Sequence, residues 1–245
     1  MSATRIIWLD PGAPPDAFPD VESALAEPDG LLAAGGDLGI ERLIAAYRCG
    51  IFPWFEEGQP ILWWSPDPRC ILRPTDLHVS RRLRRYIRRS SAVLTFNRTF
   101  TEVIQSCAAK RRSRQGTWIT RNMIDAYVRL HDNGWAHSIE VREDDRLIGG
   151  LYGVAIGHAF FAESMFSDAP SASSFALLGL SRHLLANNAN LIDCQIQSQH
   201  LLTLGATTVP RVEFLRILRE ACDPPLRLGN WPKHPISVSD LLIQR

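Results

Sequence analysis

The sequence predicts an α/β fold of the α+β kind: a small N-terminal domain (residues 1–66) ahead of a larger domain (67–245) built on a mostly antiparallel mixed sheet. Three observations predict it. Between residues 137 and 166, three strand-like stretches are separated by Asp144-Asp145 and by Gly157-His158, the punctuation of a β-meander. Helical periodicity flanks that meander on both sides. The first 66 residues differ in composition, with a Pro-, Asp- and Gly-rich run from Asp10 to Pro19 and three of the seven tryptophans at Trp54, Trp63 and Trp64. A chain of 245 residues, 45% hydrophobic and 22% charged, can bury the core of one large domain or of a small and a larger one.

The elements follow in order. Asp10–Pro19 is expected to be irregular. Asp37 is placed to cap a helix over 38–48, with Leu43, Ile44 and Tyr47 on one face and Gly50 beyond its end. The clustered tryptophans fit either a small aromatic core or a stacking platform at a domain boundary. A basic amphipathic helix spans 80–89, and another helix spans 100–109. Thr120 caps a helix that runs to Asn133-Gly134. After the meander, Ser173 or Ser174 begins a helix reaching about Asn187. A strand occupies 190–197, a short helix ends at Gly205, and a last helix covers 212–222. Helix, three antiparallel strands, helix, strand, helix is the order of the acyl-transferring GNAT-type fold.

Several classes are excluded. No run of about 18 apolar residues occurs, so no membrane span is expected. Met1-Ser2-Ala3-Thr4-Arg5 lacks the basic and apolar regions of a secretory leader. Cys49, Cys70, Cys107, Cys194 and Cys222 are scattered, without a Cys-x-x-Cys pair, so neither a disulfide framework nor a zinc knuckle is indicated. A cytoplasmic location is expected. There is no Walker loop, no His-Glu-x-x-His and no Cys/His cluster at ligand spacing, so no metal and no cofactor are expected.

Net charge is +1, yet the charge is segregated. From His78 to Arg121 there are 12 Lys/Arg and one acid, Glu102, leaving 15 basic and 25 acidic groups elsewhere. The block holds Arg81, Arg82, Arg84, Arg85, Arg88, Arg89, Arg111 and Arg112. A solvated helix face would account for part of it. A 12-to-1 excess made mostly of arginine also creates a local field that attracts a polyanion, and the guanidinium fork suits phosphate.

The chain resembles the bacterial leucyl/phenylalanyl-tRNA–protein transferase family. The matching stretches are FPDVESALAEPDGLLAAGGDL from Phe18, AYRCGIFPWF from Ala46, ILWWSPDPR from Ile61, GTWIT from Gly116, HSIEV from His137, GGLYGVA from Gly149, ESMFS from Glu163 and LIDCQ from Leu191. Together they cover most of the chain from Phe18 to about Pro210. The resemblance implies transfer of Leu or Phe, and also Met, from aminoacyl-tRNA to the α-amino group of a protein beginning with Arg or Lys. The product carries a degradation signal under the N-end rule. A monomer is expected. The sequence departs from the family where a basic residue usually follows ESMFS and Asp168 stands instead, and where Ala-Ser-Lys is usual and Ala172-Ser173-Ser174 stands instead.

The reaction so implied is aminolysis of an activated ester, which carries its own driving force. Asp193 and Gln195 lie two apart on a strand and share a face. An unpaired buried carboxylate is costly, so an acid on an apolar strand needs a partner. The resemblance implies that Asp193 and Gln195 are the catalytic pair, Asp193 polarising Gln195 so that it positions or deprotonates the attacking amine. Glu163 alternates with Phe161 and Met165. It is implied to contact the 3′-terminal adenosine or to lie beside the amino acid's amino group, an Arg salt bridge being the structural alternative. By resemblance, Leu151, Phe160, Met165, Leu177, Leu180 and Ile192 line the side-chain pocket. The resemblance also implies that adenine stacks on Trp54 and Trp118, with Tyr47 adjacent, and that the acceptor stem lies on the basic block. Two rivals are an acyl-CoA-dependent N-acyltransferase and a non-catalytic tRNA-binding protein. The segment 167–173 carries Asp168 and no glycine where such transferases usually cradle pyrophosphate, which argues against CoA.

Overall fold

A computed structural model describes residues 6–115, 117–223 and 226–242, with the side chains of 112–115 outside the described set. The expectation for the Arg112 side chain therefore lies outside the described residues. The first sheet joins β1 (Ile7–Leu9), β2 (Leu31–Gly35), β3 (Phe52–Pro53) and β4 (Leu62–Trp64) in the order β1-β2-β4-β3, with α1 (Ile40–Arg48) between β2 and β3. The second part begins with β5 (Arg69–Leu72), α2 (Arg81–Arg89), β6 (Val93–Phe96), α3 (Phe100–Gln115) and α4 (Arg121–Asp132). The meander is β7 (Ala136–Glu143), β8 (Arg146–Ile156) and β9 (Ala159–Ser167), followed by α5 (Ala172–Ala186), β10 (Leu191–Gln195) and α6 (Gln199–Thr203). The chain closes with β11 (Thr207–Val209), α7 (Arg211–Cys222) and β12 (Ile236–Ser237). The large sheet has the order β11-β5-β10-β9-β8-β7-β6-β12. Within it β9 and β10 run parallel and the other neighbours antiparallel.

Local chemistry sets the helix ends. Ser80 accepts from the backbone N–H of Leu83, and Thr120 from that of Met123, each satisfying a donor the first helical turn leaves open. Two expected caps move. Asp37 sits two residues early: Gly39 is the N-cap of α1, while Asp37 accepts from the Gly39 N–H and pairs with Arg42 at 2.8 Å. The cap of α5 is Ser171, in the left-handed region at φ 65°, and Ser173 lies inside the helix, its N–H donating to Ser167 Oγ at 2.8 Å. The helix at residue 100 continues to Gln115, past the expected 109.

Each face of the large sheet buries its own core. On one side Tyr47, Val103, Tyr127 and Phe214 from α1, α3, α4 and α7 pack with Trp63 of the small sheet and Phe161 of β9. On the other, Leu83 and Ile87 of α2 and Phe175, Leu177 and Leu180 of α5 cover Leu151, Phe160 and Ile192. The small N-terminal sheet is thus continuous with the first core. Among the described residues no helix is long and apolar enough to cross a membrane.

Candidate active site

The site forms where two parallel strands part. Pairing of β9 with β10 runs from Ala159↔Leu191 to Phe161↔Asp193 and stops. Just beyond, both strands slip register against their other neighbours, β9 opposite Tyr152/Gly153 and β10 between Asp193 and Gln195. Such bulges redirect side chains that strict alternation would send elsewhere. Gly153 permits the first one: a Cβ there would lie 2.1 Å from the Phe161 carbonyl oxygen. A cavity of about 360 Å³ opens between the separated ends, within the usual range for ligand pockets of about 300–1,000 Å³.

Glu163 sits at its floor. Its carboxylate accepts from Tyr47 Oη at 2.7 Å, from Tyr127 Oη at 2.9 Å and from Gln195 Nε2 at 2.8 Å. Burial pushes its pKa up to about 7, and the three hydrogen bonds oppose that rise. The bulge places Glu163 and Ser164 on the face of α3 and α4, where Ser164 Oγ accepts from Arg111 Nε at 3.1 Å. Met165 falls on the opposite, α5 face. The expected alternation of Glu163 with Met165 is therefore broken, because one extra residue reverses every side chain after it.

Asp193 is fully buried and does not line the cavity. It forms a two-pronged ion pair with Arg69, at 2.9 and 2.7 Å, and Arg69 also donates to the Gly50 carbonyl at 3.0 Å. The guanidinium lies 4.8 Å from the Phe52 ring centroid and 4.6 Å from that of Phe214. Asp193 Oδ1 accepts the backbone N–H of Gln195 at 2.9 Å, and Gln195 adopts φ 62°. A non-glycine residue in that region costs of order 1 kcal/mol or more and persists where its surroundings fix it. Asp193 thus reaches Gln195 through the main chain; the side-chain amide expected to receive its pull is turned toward Glu163 instead.

The remaining expected residues divide. Leu151, Met165 and Leu177 line the cavity, joined by Ala162, Cys194 and Leu201. Phe160, Leu180 and Ile192 do not: all three are fully buried in the core beneath α5, one layer below the wall. Trp54 and Trp118 line the opening, Arg111 lying 5.7 Å over the Trp118 ring. Tyr47 is not beside them. It is fully buried, packs on Phe161 at 4.8 Å and spends its hydroxyl on Glu163, so no face is left for a base. Trp63 is core, donating to Gly35 O at 2.9 Å, while Trp64 braces Trp54 through its backbone carbonyl at 2.7 Å. Arg81, Arg82, Arg84, Arg85, Arg88 and Arg89 are exposed on α2, away from the cavity wall. Asp168 pairs with Lys110 at 2.5 Å and is also outside the wall.

Two residues at the floor were not singled out by sequence reasoning, Arg69 and Tyr127. A signal existed for the first: an arginine opening the apolar run Arg69-Cys70-Ile71-Leu72 needs a buried anion. Tyr127 had none, being one apolar-face residue of an ordinary amphipathic helix.

The family model for the leucyl/phenylalanyl-tRNA protein transferase matches residues 71–219, and that for its N-terminal domain matches residues 36–67. The chain belongs to this family. Relatives named leucyl/phenylalanyl-tRNA–protein transferase include one from Hahella chejuensis, 55% identical over 86% of this chain and 89% of its own. One from Stutzerimonas stutzeri is 54% identical over 88% and 95%, and one from Chromohalobacter salexigens 52% identical over 89% and 86%.

Proposed function

We propose that the chain transfers leucine or phenylalanine, and also methionine, from aminoacyl-tRNA to the N-terminal α-amino group of proteins beginning with Arg or Lys, as a cytoplasmic monomer, and so creates a degradation signal. The two-unit division at residues 66 and 67 belongs to the same reading. The observation that carries it is a cavity whose apolar wall of Leu151, Met165 and Leu177 ends on the hydrogen-bonded pair Glu163–Gln195, in a member of this family. The amino-acid side chain fills the apolar part. The terminal adenine stacks between Trp54 and Trp118, a contact worth roughly 1–3 kcal/mol. Arg111 at the cavity and the arginines of α2 take phosphates, reading charge and shape rather than base sequence.

The chemistry asked of the protein is modest. A free α-amine with pKa about 7.7–8.0 is roughly one-tenth neutral at pH 7. Holding it against the ester converts a two-body encounter into a local one. Gln195 faces the cavity and positions the amine. Asp193 is a positioning residue that fixes Gln195 through its N–H, and Arg69 fixes Asp193. The acyl-CoA alternative meets an obstacle at the start of α5: Ser167 already takes the Ser173 N–H, and Asp168 adds negative charge where pyrophosphate would sit.

The test is transfer of labelled leucine from charged tRNA to an Arg-initiated peptide, with an Ala-initiated peptide as control. Retention of Leu-tRNA over uncharged tRNA and acetyl-CoA is expected. Retention of acetyl-CoA, or equal retention of charged and uncharged tRNA without transfer, overturns the reading.

A further inference from the structure

Three oxygen–oxygen contacts close a ring behind the cavity. Tyr47 Oη meets Glu163 Oε1 at 2.7 Å, Tyr127 Oη meets Glu163 Oε2 at 2.9 Å, and the two tyrosine hydroxyls meet each other. Each hydrogen bond needs one proton, and each phenol carries one. Two tyrosines therefore serve two of the three contacts. Gln195 Nε2 approaches Oε1 from outside the ring at 2.8 Å and adds no proton to it. With Glu163 ionised the ring is one proton short. With Glu163 protonated on Oε2 it closes: Oε2–H donates to Tyr127, Tyr127 to Tyr47, and Tyr47 to Oε1.

We propose that this ring is the proton acceptor of the transfer reaction, Glu163 taking the proton of the attacking α-amine while Tyr47 and Tyr127 complete the ring around it. The proposal rests on the transfer reading above and adds an acid–base residue to it. The step balances. A C–N bond forms between the amine nitrogen and the ester carbonyl carbon, and the C–O bond to the ribose breaks. The nitrogen's proton passes to Glu163 and then to the departing ribose oxygen, which leaves as a hydroxyl.

The surroundings suit this role. Tyr47 faces Glu163 from α1, Tyr127 from α4, Tyr152 from β8, and Asp193 and Gln195 from β10, while Arg111 of α3 lines the same cavity. The negative charge of Asp193 is held by Arg69, which leaves Glu163 as the carboxyl open to the cavity. Burial sets its pKa near neutrality, where an acid–base group works best in both directions. The tyrosines are pushed well above their ordinary value by burial and by Glu163, so they remain hydroxyls that pass hydrogen bonds and do not ionise.

The deciding experiment is the pH dependence of kcat for transfer to an Arg-led peptide, measured for the wild type, Glu163→Gln and Tyr127→Phe, together with KM for aminoacyl-tRNA. Wild-type activity is expected to rise through a limb near 7, besides the limb of the acceptor amine at about 7.7–8.0. Glu163→Gln keeps the size of the side chain and loses the lower limb, with kcat down about 10²–10⁴-fold and KM changed less than about threefold. Tyr127→Phe opens the ring, so the lower limb is expected to leave its wild-type position. Infrared difference spectra should show a protonated-carboxyl band that disappears over the same pH range and is missing in Glu163→Gln. A Glu163→Gln enzyme that keeps the lower limb, or whose whole loss lies in KM, overturns the proposal and makes Glu163 a donor-holding group. A wild type that extends no Arg-led peptide overturns the transfer reading instead, and the infrared band then still decides whether the ring takes up a proton.

Discussion

The cavity floor and helix α2 carry opposite kinds of chemistry. At the floor, Glu163, Gln195, Asp193 and Arg69 are all buried, and each is tied by bonds of 2.7–3.0 Å to groups on other elements. On α2, six arginines face solvent and only Leu83 and Ile87 are buried. Floor groups work by position in a medium that screens little, so one misplaced atom is costly. Arginines on α2 work by summed field, so no single one is decisive and salt weakens them all. The difference should be visible in how each region fails.

The largest effect is expected at the floor. Asp193→Ala strands the Arg69 guanidinium between two aromatic rings and should lower unfolding free energy by about 3–5 kcal/mol. Denaturant titration measures it. Turnover should fall as well, because Gln195 loses the acceptor that holds its strained backbone. Replacing both partners, Arg69→Met with Asp193→Leu, should recover much of the stability without recovering turnover. A single variant as stable as the wild type would mean that the ion pair is not what holds the floor together.

Neutralising Arg84, Arg85, Arg88 and Arg89 comes next. If each meets one phosphate, the slope of log affinity against log salt should flatten by about 3 to 4, and affinity at low salt should drop on the order of 100-fold. Folding stability and kcat at saturation should stay near wild type. An unchanged slope would place the RNA elsewhere and leave α2 without a role in binding it.

Trp118→Ala tests the boundary between the two regions, since Trp118 lies at the cavity mouth beside Arg111. Loss of one stacked base should raise KM for aminoacyl-tRNA by roughly 10- to 100-fold, with little change in salt dependence. A change confined to the peptide KM would remove Trp118 from the adenine site.

The two regions also differed in how far the sequence revealed them. The charge of α2, its serine cap and its two buried residues are all local, and all were legible. So was the meander, because period two survives along its strands up to the slip opposite Gly153. The bulge at Glu163 was not, since alternation counts assume that no residue is skipped. Arg69 and Asp193 are 124 residues apart, and no local pattern joins them. Phe160, Leu180 and Ile192 were misplaced for a related reason: core and cavity wall use the same residue types beneath α5, and only depth separates them. Strands as short as β3 and β12, two residues each, have no periodicity to read.

The smallest effect is expected at Asp168. Its pair with Lys110 is half exposed at one end and about one-third exposed at the other, and such pairs contribute about 0–1 kcal/mol. Asp168→Asn should therefore leave stability within about 1 kcal/mol of wild type. It should also shift RNA binding, and in a defined direction. Lys110 and Arg111 are neighbours on α3, and Arg111 lines the cavity, so removing the carboxylate makes the local field more positive. Affinity for charged tRNA should tighten slightly at low salt, and the difference should vanish as salt screens it. Weaker binding in Asp168→Asn would have the opposite meaning: the aspartate would then act by orienting a cation of α3 toward phosphate, placing a positional device of the cavity-floor kind inside the basic surface.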